Sequence, residues 1–300
     1  MINKLPMTLL AQIDDIAVFQ TAAFLTDVVN DSELNTQTIG QQNPADYGDL
    51  NLGLHVNDDA AKVLHNRMCL LSGINESFST STSASKQFQY VPIKRLHWVS
   101  QVHGNNVHDV DATALSMTPM AADAMVSKQQ GIGLAIMTAD CVPIVLYQPA
   151  TGQIAAIHAG WQGLACGVIK TTVNRFDNTM PIKAWIGVCI SQANYEVNTD
   201  VRDKLLAGCK ENQALSEKQL DSFVALFSIP SHDDKIKLDL PKLAAMQLEA
   251  AGMTIITDLP VDCSYADSHY YSYRRQTHLQ QPATGRMALV IARSAQSRDG

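Results

Sequence analysis

The centre of the chain reads GIGLAIMTADCVPIVLYQPATGQIAAIHAGW over residues 131–161. Short apolar runs bounded by turn-forming residues are typical of buried strands. The run 131–137 is interrupted by TADC, resumes over 142–147, turns at 148–152 and continues as a third run that ends at His158. We therefore predict three buried strands, joined by tight turns, at the heart of the fold.

Helices are predicted before and after these strands along the sequence. Apolar residues recur at intervals of three and four from Trp161 to Phe176, as on one face of a helix. A second helix is predicted from Asn57, a good N-cap, to Gly73, which can end it. A third is predicted over 243–251, with Asp239 before it and a glycine after it.

The fold class predicted from this order is α+β, a single domain over 1–300 with mixed β-sheets flanked by helices, because strands and helices do not alternate regularly. The polar stretch 27–50 predicts a long insertion loop. The Ser- and Thr-rich stretch 77–86 predicts a surface loop, with a domain linker as the alternative.

Composition limits the class of partner. The chain has 300 residues, a formal net charge of −7 and no basic patch, which argues against nucleic acid as the main partner. No stretch approaches the roughly 18 apolar residues of a membrane helix, and the start is too acidic for a secretory signal. We expect no membrane association and a cytoplasmic protein. The six cysteines form no CxxC and are expected to be free thiols.

Three residues that can bind a metal stand at ends or breaks of apolar strands, and they are His103, Cys141 and His158. Two imidazoles and a thiolate suit zinc, and a site with three protein ligands leaves a position open, as in catalytic sites. Spacings of 38 and 17 residues are by themselves a weak signal. Cys141 could instead be a thiolate nucleophile with His158 as its base, which would make the protein a cysteine hydrolase.

Seven short motifs make this interpretation more specific. They are NLGLHV (51–56), QVHG (101–104), TADCVP (138–143), HAGW (158–161), WIG (185–187) and YSYRR (271–275) followed by GRM (285–287). In type and order they resemble the YfiH family, also called the laccase-domain or polyphenol oxidase family. The resemblance covers about residues 50–292. It implies a single YfiH-like unit with mixed sheets, a fold related to a group of cysteine hydrolases.

The resemblance also implies chemistry. The metal ligands of the family fall on His103, Cys141 and His158, with zinc as the expected ion and copper as an adventitious one. Members are described as zinc-dependent purine nucleoside phosphorylases that act on adenosine, inosine and methylthioadenosine and also deaminate adenosine. The implied partners are small molecules, a purine nucleoside and phosphate, bound to a monomer or small homo-oligomer. Other members are linked to amide hydrolysis of serine-containing peptidoglycan precursors, which stays open as an alternative.

Further residues are candidates for the site. Asp140 is the nearest carboxylate that could carry a proton, although it could equally orient a ligand or cap a turn. Arg274 and Arg275 could supply charge for phosphate, or form a structural pair. Asn51 and His55 are candidate substrate-binding residues, and His55 could also be structural. The two flanking tyrosines, Tyr271 and Tyr273, could stack on a base or pack in the core.

Two observations restrict or complicate the family interpretation. Polyphenol oxidation by several coppers needs about ten clustered histidines, whereas this chain has nine and no HxH, so we consider that function unlikely. The family usually has Arg-Gly-Gly shortly before NLG, and Ala22 stands here where that Arg is expected. Weakened or redirected activity, or a non-catalytic binding role, therefore stays open.

Overall fold

A computed structural model of the protein describes residues 5–25, 44–82, 90–114 and 118–296. The helices in that part of the chain are α1 (Ala60–Thr82), α2 (Trp161–Ala165), α3 (Val168–Val173), α4 (Thr199–Glu211), α5 (Glu217–Asp221), α6 (Phe223–Phe227), α7 (Leu240–Ala250) and α8 (Tyr273–His278). None of them is both long and apolar enough to cross a membrane.

The strands are short to medium in length. They are β1 (Met7–Ile13), β2 (Ile16–Thr21), β3 (Tyr90–Val91), β4 (Arg95–His97), β5 (Val107–Asp109), β6 (Ala124–Ser127), β7 (Ile132–Thr138), β8 (Val142–Gln148), β9 (Gln153–Ala159), β10 (Lys183–Ile186), β11 (Glu196–Asn198), β12 (Ser228–Pro230), β13 (Lys235–Leu238), β14 (Thr254–Ile255), β15 (Met287–Arg293) and β16 (Ala295–Gln296).

Two large mixed sheets contain most of these strands, and the others form a three-stranded sheet, β11-β13-β12, and the pair β16-β3. The first has the order β1-β2-β15-β7-β4, antiparallel except for the parallel pair β4–β7. The second has the order β14-β10-β8-β9-β6-β5, with parallel pairs at both edges. The strands predicted from the central sequence thus fall in both sheets, because β7 belongs to the first sheet and β8 and β9 to the second.

The central strands are continuously apolar because both of their faces are buried. In β7, Leu134 and Ile136 pack in the core between the two sheets, whereas Ala135 faces the core beneath α1. In β8, Val145 faces the core between the sheets, whereas Ile144 faces the core under α3, α4 and α7. The alternation of side chains along a strand thus supports four layers, helix, sheet, sheet and helices. The predicted single-domain α+β fold with mixed sheets is confirmed.

The first helix differs from its prediction. It continues past Gly73 to Thr82, so the loop predicted from Ser77 is wrong for 77–82, and residues 83–86 lie outside the described part of the chain. A Cβ on Gly73 would come within 2.7 Å of Leu5 Cδ1, so this glycine permits close packing and does not end the helix. The hydroxyl of Ser77 donates to the Gly73 carbonyl one turn back, which satisfies it within the helix.

Two other predicted regions can be compared with the structure. The predicted helix over 161–176 is divided into α2 and α3 by Gly167, whose φ of 78° is left-handed. Most of the predicted insertion loop 27–50 lies outside the described residues, and in the described part, 44–50, Leu50 is buried in the core under α1.

Candidate active site

Three separate segments bring the predicted metal ligands together. His103 lies in the loop after β4, Cys141 directly precedes β8, and His158 lies near the end of β9. Because β8 and β9 are antiparallel neighbours with Pro143 opposite His158, Cys141 comes beside the end of β9. The three potential ligand atoms all lie within 4.8 Å of one another. The convergence expected from the sequence is therefore present in the structure.

The contacts within the cluster are close. Sγ of Cys141 lies 3.9 Å from Nε2 of His103, and the two imidazole rings meet edge to face with centroids 4.7 Å apart. Gly160 lies against both groups, since a Cβ there would be 3.0 Å from Sγ of Cys141 and 3.2 Å from Cδ2 of His103. The glycine of the HAGW motif therefore keeps the space that the cluster needs.

A buried carboxylate that the sequence did not single out, Asp123, supports two of the three ligands. Its Oδ1 lies 2.9 Å from Nδ1 of His158 and accepts the backbone N–H of His103 at 2.8 Å. Its Oδ2 accepts the N–H of Gly104 at 2.6 Å. With Nδ1 engaged, His158 presents Nε2 to the cluster. The only sequence signal was an acid directly before the apolar strand β6.

The electrostatics follow from burial and from the neighbouring charges. Burial raises the pKa of the Cys141 thiol, but the imidazoles of His158 and His103 outweigh burial and lower it well below the ordinary value. Burial lowers the pKa of His158, but the Cys141 thiolate and the Asp123 carboxylate outweigh it and raise that pKa. Without a metal, the pair therefore favours thiolate beside imidazolium.

The donor set fits a transition metal. Ligand atoms of a tetrahedral zinc site are about 3–4 Å apart, because zinc–ligand bonds are about 2.0–2.3 Å long. The 3.9 Å between Cys141 and His103 agrees with that, and all three ligand atoms lie within 4.8 Å of one another. A second requirement is also met, because His158 is oriented through its other nitrogen by a carboxylate, as metal-binding histidines usually are. The thiolate and imidazoles would suit zinc or copper.

The cluster lies at the wall of a cavity of about 400 Å³, a size typical of sites for small molecules. Besides the three ligands, polar and charged side chains contribute to the wall, namely His55, Gln101, Thr138, Asp140, Gln162, Arg274 and Arg286. Apolar and aromatic contributions come from Met137, Trp161, Ile190, Tyr195, Leu240 and Tyr273. The cavity thus combines apolar surface with a few polar groups.

Asp140 lies in the cavity wall, but its carboxylate is engaged. Oδ1 accepts the Ser264 hydroxyl at 2.7 Å, and Oδ2 accepts the backbone N–H of Arg274 at 2.7 Å. The residue has a left-handed φ of 103° in the turn that carries Cys141. These contacts tie that turn to the segments at 264 and 274.

The two arginines of the YSYRR motif lie in different environments. Arg274 lines the cavity, and its Nη1 donates to the Glu196 carbonyl at 2.6 Å. Arg275 does not line it, and its guanidinium donates to backbone carbonyls that include those of Ser264 and Tyr265. Arg275 therefore stabilises the loop that contains Ser264 and Tyr265 and is not available to a ligand in the cavity.

The two tyrosines of the same motif also lie in different environments. Tyr271 is fully buried, and its hydroxyl donates to the Tyr47 carbonyl. Tyr273 lies at the cavity with 57% of its surface exposed, so its ring is accessible to a ligand.

The NLGLHV motif contributes one lining residue and one support. His55 lines the cavity, whereas Asn51 is fully buried and does not. Oδ1 of Asn51 accepts the backbone N–H groups of Gly53 and Arg286, both at 2.9 Å. Arg286 lines the cavity and was not singled out from the sequence, although it belongs to the quoted GRM motif. Ala22, directly after β2, is not a lining residue.

Fold and site together define a class of protein, an α+β chain with a cluster of two histidines and one cysteine beside a cavity for a small molecule. The chain belongs to the family described as multi-copper polyphenol oxidoreductase laccase, whose sequence pattern matches residues 34–294. This confirms the resemblance to YfiH proteins seen in the motifs.

Relatives with assigned names support the same grouping. The chain is 33% identical over 247 residues to "Purine nucleoside phosphorylase YfiH" of Escherichia coli, covering 82% of this chain and 86% of that protein. It is 30% identical over 260 residues to "Purine nucleoside phosphorylase PA4543" of Pseudomonas aeruginosa, covering 85% and 90%. Relatives named as phosphorylases support an enzymatic role for this chain.

Solved structures share the fold. Protein NMB0706 of Neisseria meningitidis matches with a TM-score of 0.68 at 26% identity, covering 96% of this chain and 99% of that one. The YfiH protein of Bacillus licheniformis matches with a TM-score of 0.69 at 23% identity, covering 97% and 98%. The latter similarity concerns the fold alone.

Proposed function

We propose that the protein is a zinc-dependent purine nucleoside phosphorylase that also deaminates adenosine. The observation that carries the proposal is the meeting of His103, Cys141 and His158 at the wall of a cavity of about 400 Å³. Support comes from relatives that are named purine nucleoside phosphorylases. The substrates that we propose are adenosine, inosine and methylthioadenosine, with phosphate as the second substrate of phosphorolysis.

Zinc is the ion that we assign to the cluster. When bound, it would supply Lewis-acid chemistry and raise the acidity of water in the cavity. The copper implied by the family description does not alter this assignment, because the described residues contain one cluster of three ligands and multicopper chemistry needs several. We therefore treat copper at the same ligands as adventitious.

Residues of the cavity wall suit a purine. The exposed ring of Tyr273 can stack on a base, since every base presents an aromatic face. Burial raises the pKa of Tyr195, so this side chain stays a phenol and can donate a hydrogen bond to a purine nitrogen. Arg274 lies over the Tyr195 ring, with its guanidinium carbon 5.2 Å from the ring centroid, and fixes its orientation.

Proton transfer is needed for both reactions, and the candidates differ in availability. Both carboxylate oxygens of Asp140 already accept hydrogen bonds, so we assign Asp140 a positioning role for Cys141. Burial and the charges of Arg286 and Arg67 lower the pKa of His55, which keeps its imidazole neutral near pH 7. A neutral imidazole in the cavity can accept a proton and return it, so we propose His55 as the proton carrier.

The test is turnover by zinc-loaded protein with and without phosphate. With phosphate, adenosine, inosine and methylthioadenosine should yield free base and a sugar phosphate. Without phosphate, adenosine should yield inosine and ammonia. Cys141→Ser should lose both activities, whereas Cys69→Ser, in the outer helix α1, should retain them. Unchanged nucleosides after incubation with the metal-loaded protein would refute the proposal.

Two alternatives are separated by further arms of that experiment. Release of L-serine from a serine-containing muramyl precursor, with nucleosides unchanged, would favour the amide hydrolase. Activity that survives complete chelation of metal would favour Cys141 as a nucleophile with His158 as its base. We place the protein in the cytoplasm, where its six free cysteines would stay reduced.

A further inference from the structure

We propose that Arg286 and His55 form a binding site for a tetrahedral oxyanion on the cavity wall. The inference deepens the proposed function, on which it rests for the identity of the anion, by naming the residues that hold phosphate during phosphorolysis. The shared chemistry is a phosphoryl group, supplied by free phosphate or by a larger phosphorylated substrate.

The first argument is that much of the Arg286 guanidinium has no hydrogen-bond partner in the described part of the chain, although the charges of Cys141 and Asp140 act on it from a distance. Its Nη1 donates to the carbonyls of Thr284 and Gly285 at 3.1 and 2.9 Å, whereas Nε and Nη2 make no hydrogen bond to any residue in the described part of the chain. No carboxylate among those residues forms an ion pair with it. An unpaired guanidinium that is largely removed from water is unfavourable unless an anion accompanies it. A phosphoryl group would accept both free donors in the bidentate geometry that Arg prefers.

The second argument is that other residues are built around the stem of Arg286. Asn51 is fully buried, and its Oδ1 accepts the backbone N–H of Arg286, which fixes where the side chain begins. A Cβ on Gly53 would lie 2.8 Å from Cγ and 3.2 Å from Cβ of Arg286, so only glycine leaves room for the stem. The NLGLHV segment therefore positions Arg286 against the cavity, although the two are far apart in sequence.

His55, the histidine of the same segment, supplies the second donor. It lines the cavity together with Arg286. Behind it, Arg67 donates through Nε and Nη2 to the Leu52 carbonyl at 3.0 and 2.7 Å and stacks on Trp98. Arg67 therefore adds positive potential near His55 while two of its three nitrogens already donate to the Leu52 carbonyl, and His55 can donate an N–H to the anion.

The other arginines near the cavity suit the role less well. Arg275 donates to several backbone carbonyls and does not line the cavity. Arg274 lines it, but one terminal nitrogen donates to the Glu196 carbonyl and its guanidinium stacks on Tyr195. Arg286 lines the cavity with free donors and with no aromatic ring stacked against its guanidinium in the described part of the chain, and this stacking is what distinguishes Arg274 from it.

The experiment measures anion binding directly, by calorimetry and by phosphorus NMR, with zinc-loaded and with metal-free protein. The probes are inorganic phosphate and methyl phosphate. Arg286→Gln should raise the dissociation constant of the bound probe at least tenfold in both metal states, and Arg286→Lys should raise it less. Arg202→Gln, which removes a charge from helix α4, should leave binding unchanged.

A second variant keeps the charge of Arg286 but changes the position of its side chain. Gly53→Ala should displace Arg286 and weaken binding of the same probe at least fivefold, with melting curves and zinc content showing that the chain is folded. Binding of inorganic phosphate supports the co-substrate role, whereas binding of methyl phosphate alone assigns the site to a phosphorylated substrate.

Equal binding by wild-type protein and Arg286→Gln, or binding that depends on zinc alone, overturns the inference. Absence of binding by the wild type for both probes does so as well. Arg286-dependent binding without any nucleoside turnover leaves the anion site standing and removes the phosphorylase, so the two failures are distinguishable.

Discussion

Nδ1 of His158 lies 2.9 Å from Oδ1 of Asp123, and this contact determines which imidazole nitrogen faces the metal-binding cluster. The same carboxylate accepts the backbone N–H groups of His103 and Gly104. One buried side chain therefore orients one ligand and fixes the loop that carries another. The cluster is prepared by hydrogen bonds before any ion binds.

Asp123→Asn should weaken zinc binding about 10–100-fold, the usual cost of losing a carboxylate that orients a ligand. An amide has only one acceptor oxygen, so its NH2 group would face either His158 and the His103 N–H, which meet at Oδ1, or the Gly104 N–H at Oδ2, and it cannot accept from any of them. Competition with a chromophoric chelator measures the affinity, and nitrogen NMR of the histidines reports the tautomer. Asp200→Asn, on the surface of α4, is the control. Wild-type affinity with an altered tautomer would contradict this role for Asp123.

Gly160→Ala should lower the zinc content of the purified protein. The added methyl would lie 3.0 Å from Sγ of Cys141 and 3.2 Å from the His103 ring, so the cluster would have to shift by a few tenths of an ångström to accept it. Gly104→Ala is a matched control, because a Cβ there meets its nearest atoms at 3.5 and 3.8 Å. Metal analysis of both variants decides the matter, and equal zinc content would show that the cluster tolerates the methyl group.

Cys141 and His158 could be predicted from the sequence because they stand beside and near the end of apolar strands, where a polar side chain has little structural reason to be. His103 lies in the loop after β4, and the QVHG motif was the signal that identified it. The supports of these ligands could not be predicted, since Asp123 and Arg286 act through contacts between distant segments. Arg286 meets Asn51 across 235 residues, and nothing local to either position indicates that contact. The prediction that Gly73 ends the first helix was wrong for the same reason. The glycine is needed for close packing against Leu5, a contact that the sequence around Gly73 does not indicate.

Metal-free protein should contain a Cys141 thiolate at neutral pH, detectable by its ultraviolet absorbance and absent in Cys141→Ser. The pKa of the thiol is lowered by the two imidazoles in spite of burial. In contrast, burial raises the pKa of Cys189 well above its ordinary value, so that thiol should not contribute. A thiolate signal that appears only above about pH 8.5, as in a free cysteine, would contradict the ion pair.

The same pair predicts how the stability of the metal-free protein depends on pH. The lowered thiol pKa contributes stability that is present above the ordinary thiol pKa and is lost as pH falls through the folded value. The raised imidazole pKa contributes stability that is present below the ordinary imidazole pKa and is lost as pH rises through the folded value. The two contributions overlap near neutral pH. The difference in melting temperature between wild type and Cys141→Ser should therefore be largest there and shrink in acid and in base.

Gly208→Ala should destabilise the protein by about 2 kcal/mol or more, although alanine is the better helix former by about 1 kcal/mol. Gly208 lies inside α4, where a Cβ would come within 2.2 Å of the Ala165 carbonyl oxygen at the end of α2. The Ala165 carbonyl belongs to the backbone and cannot rotate away as a flexible side chain can, so α4 would have to move away from α2. Calorimetric melting, with Lys204→Ala on the exposed face of α4 as control, measures the loss of stability.

A raised melting temperature of Gly208→Ala would mean that helix propensity outweighs the close approach of the two helices. Because α2 begins directly after Gly160, a variant that melts early but still binds zinc would assign the effect to helix packing and leave the metal cluster unaffected.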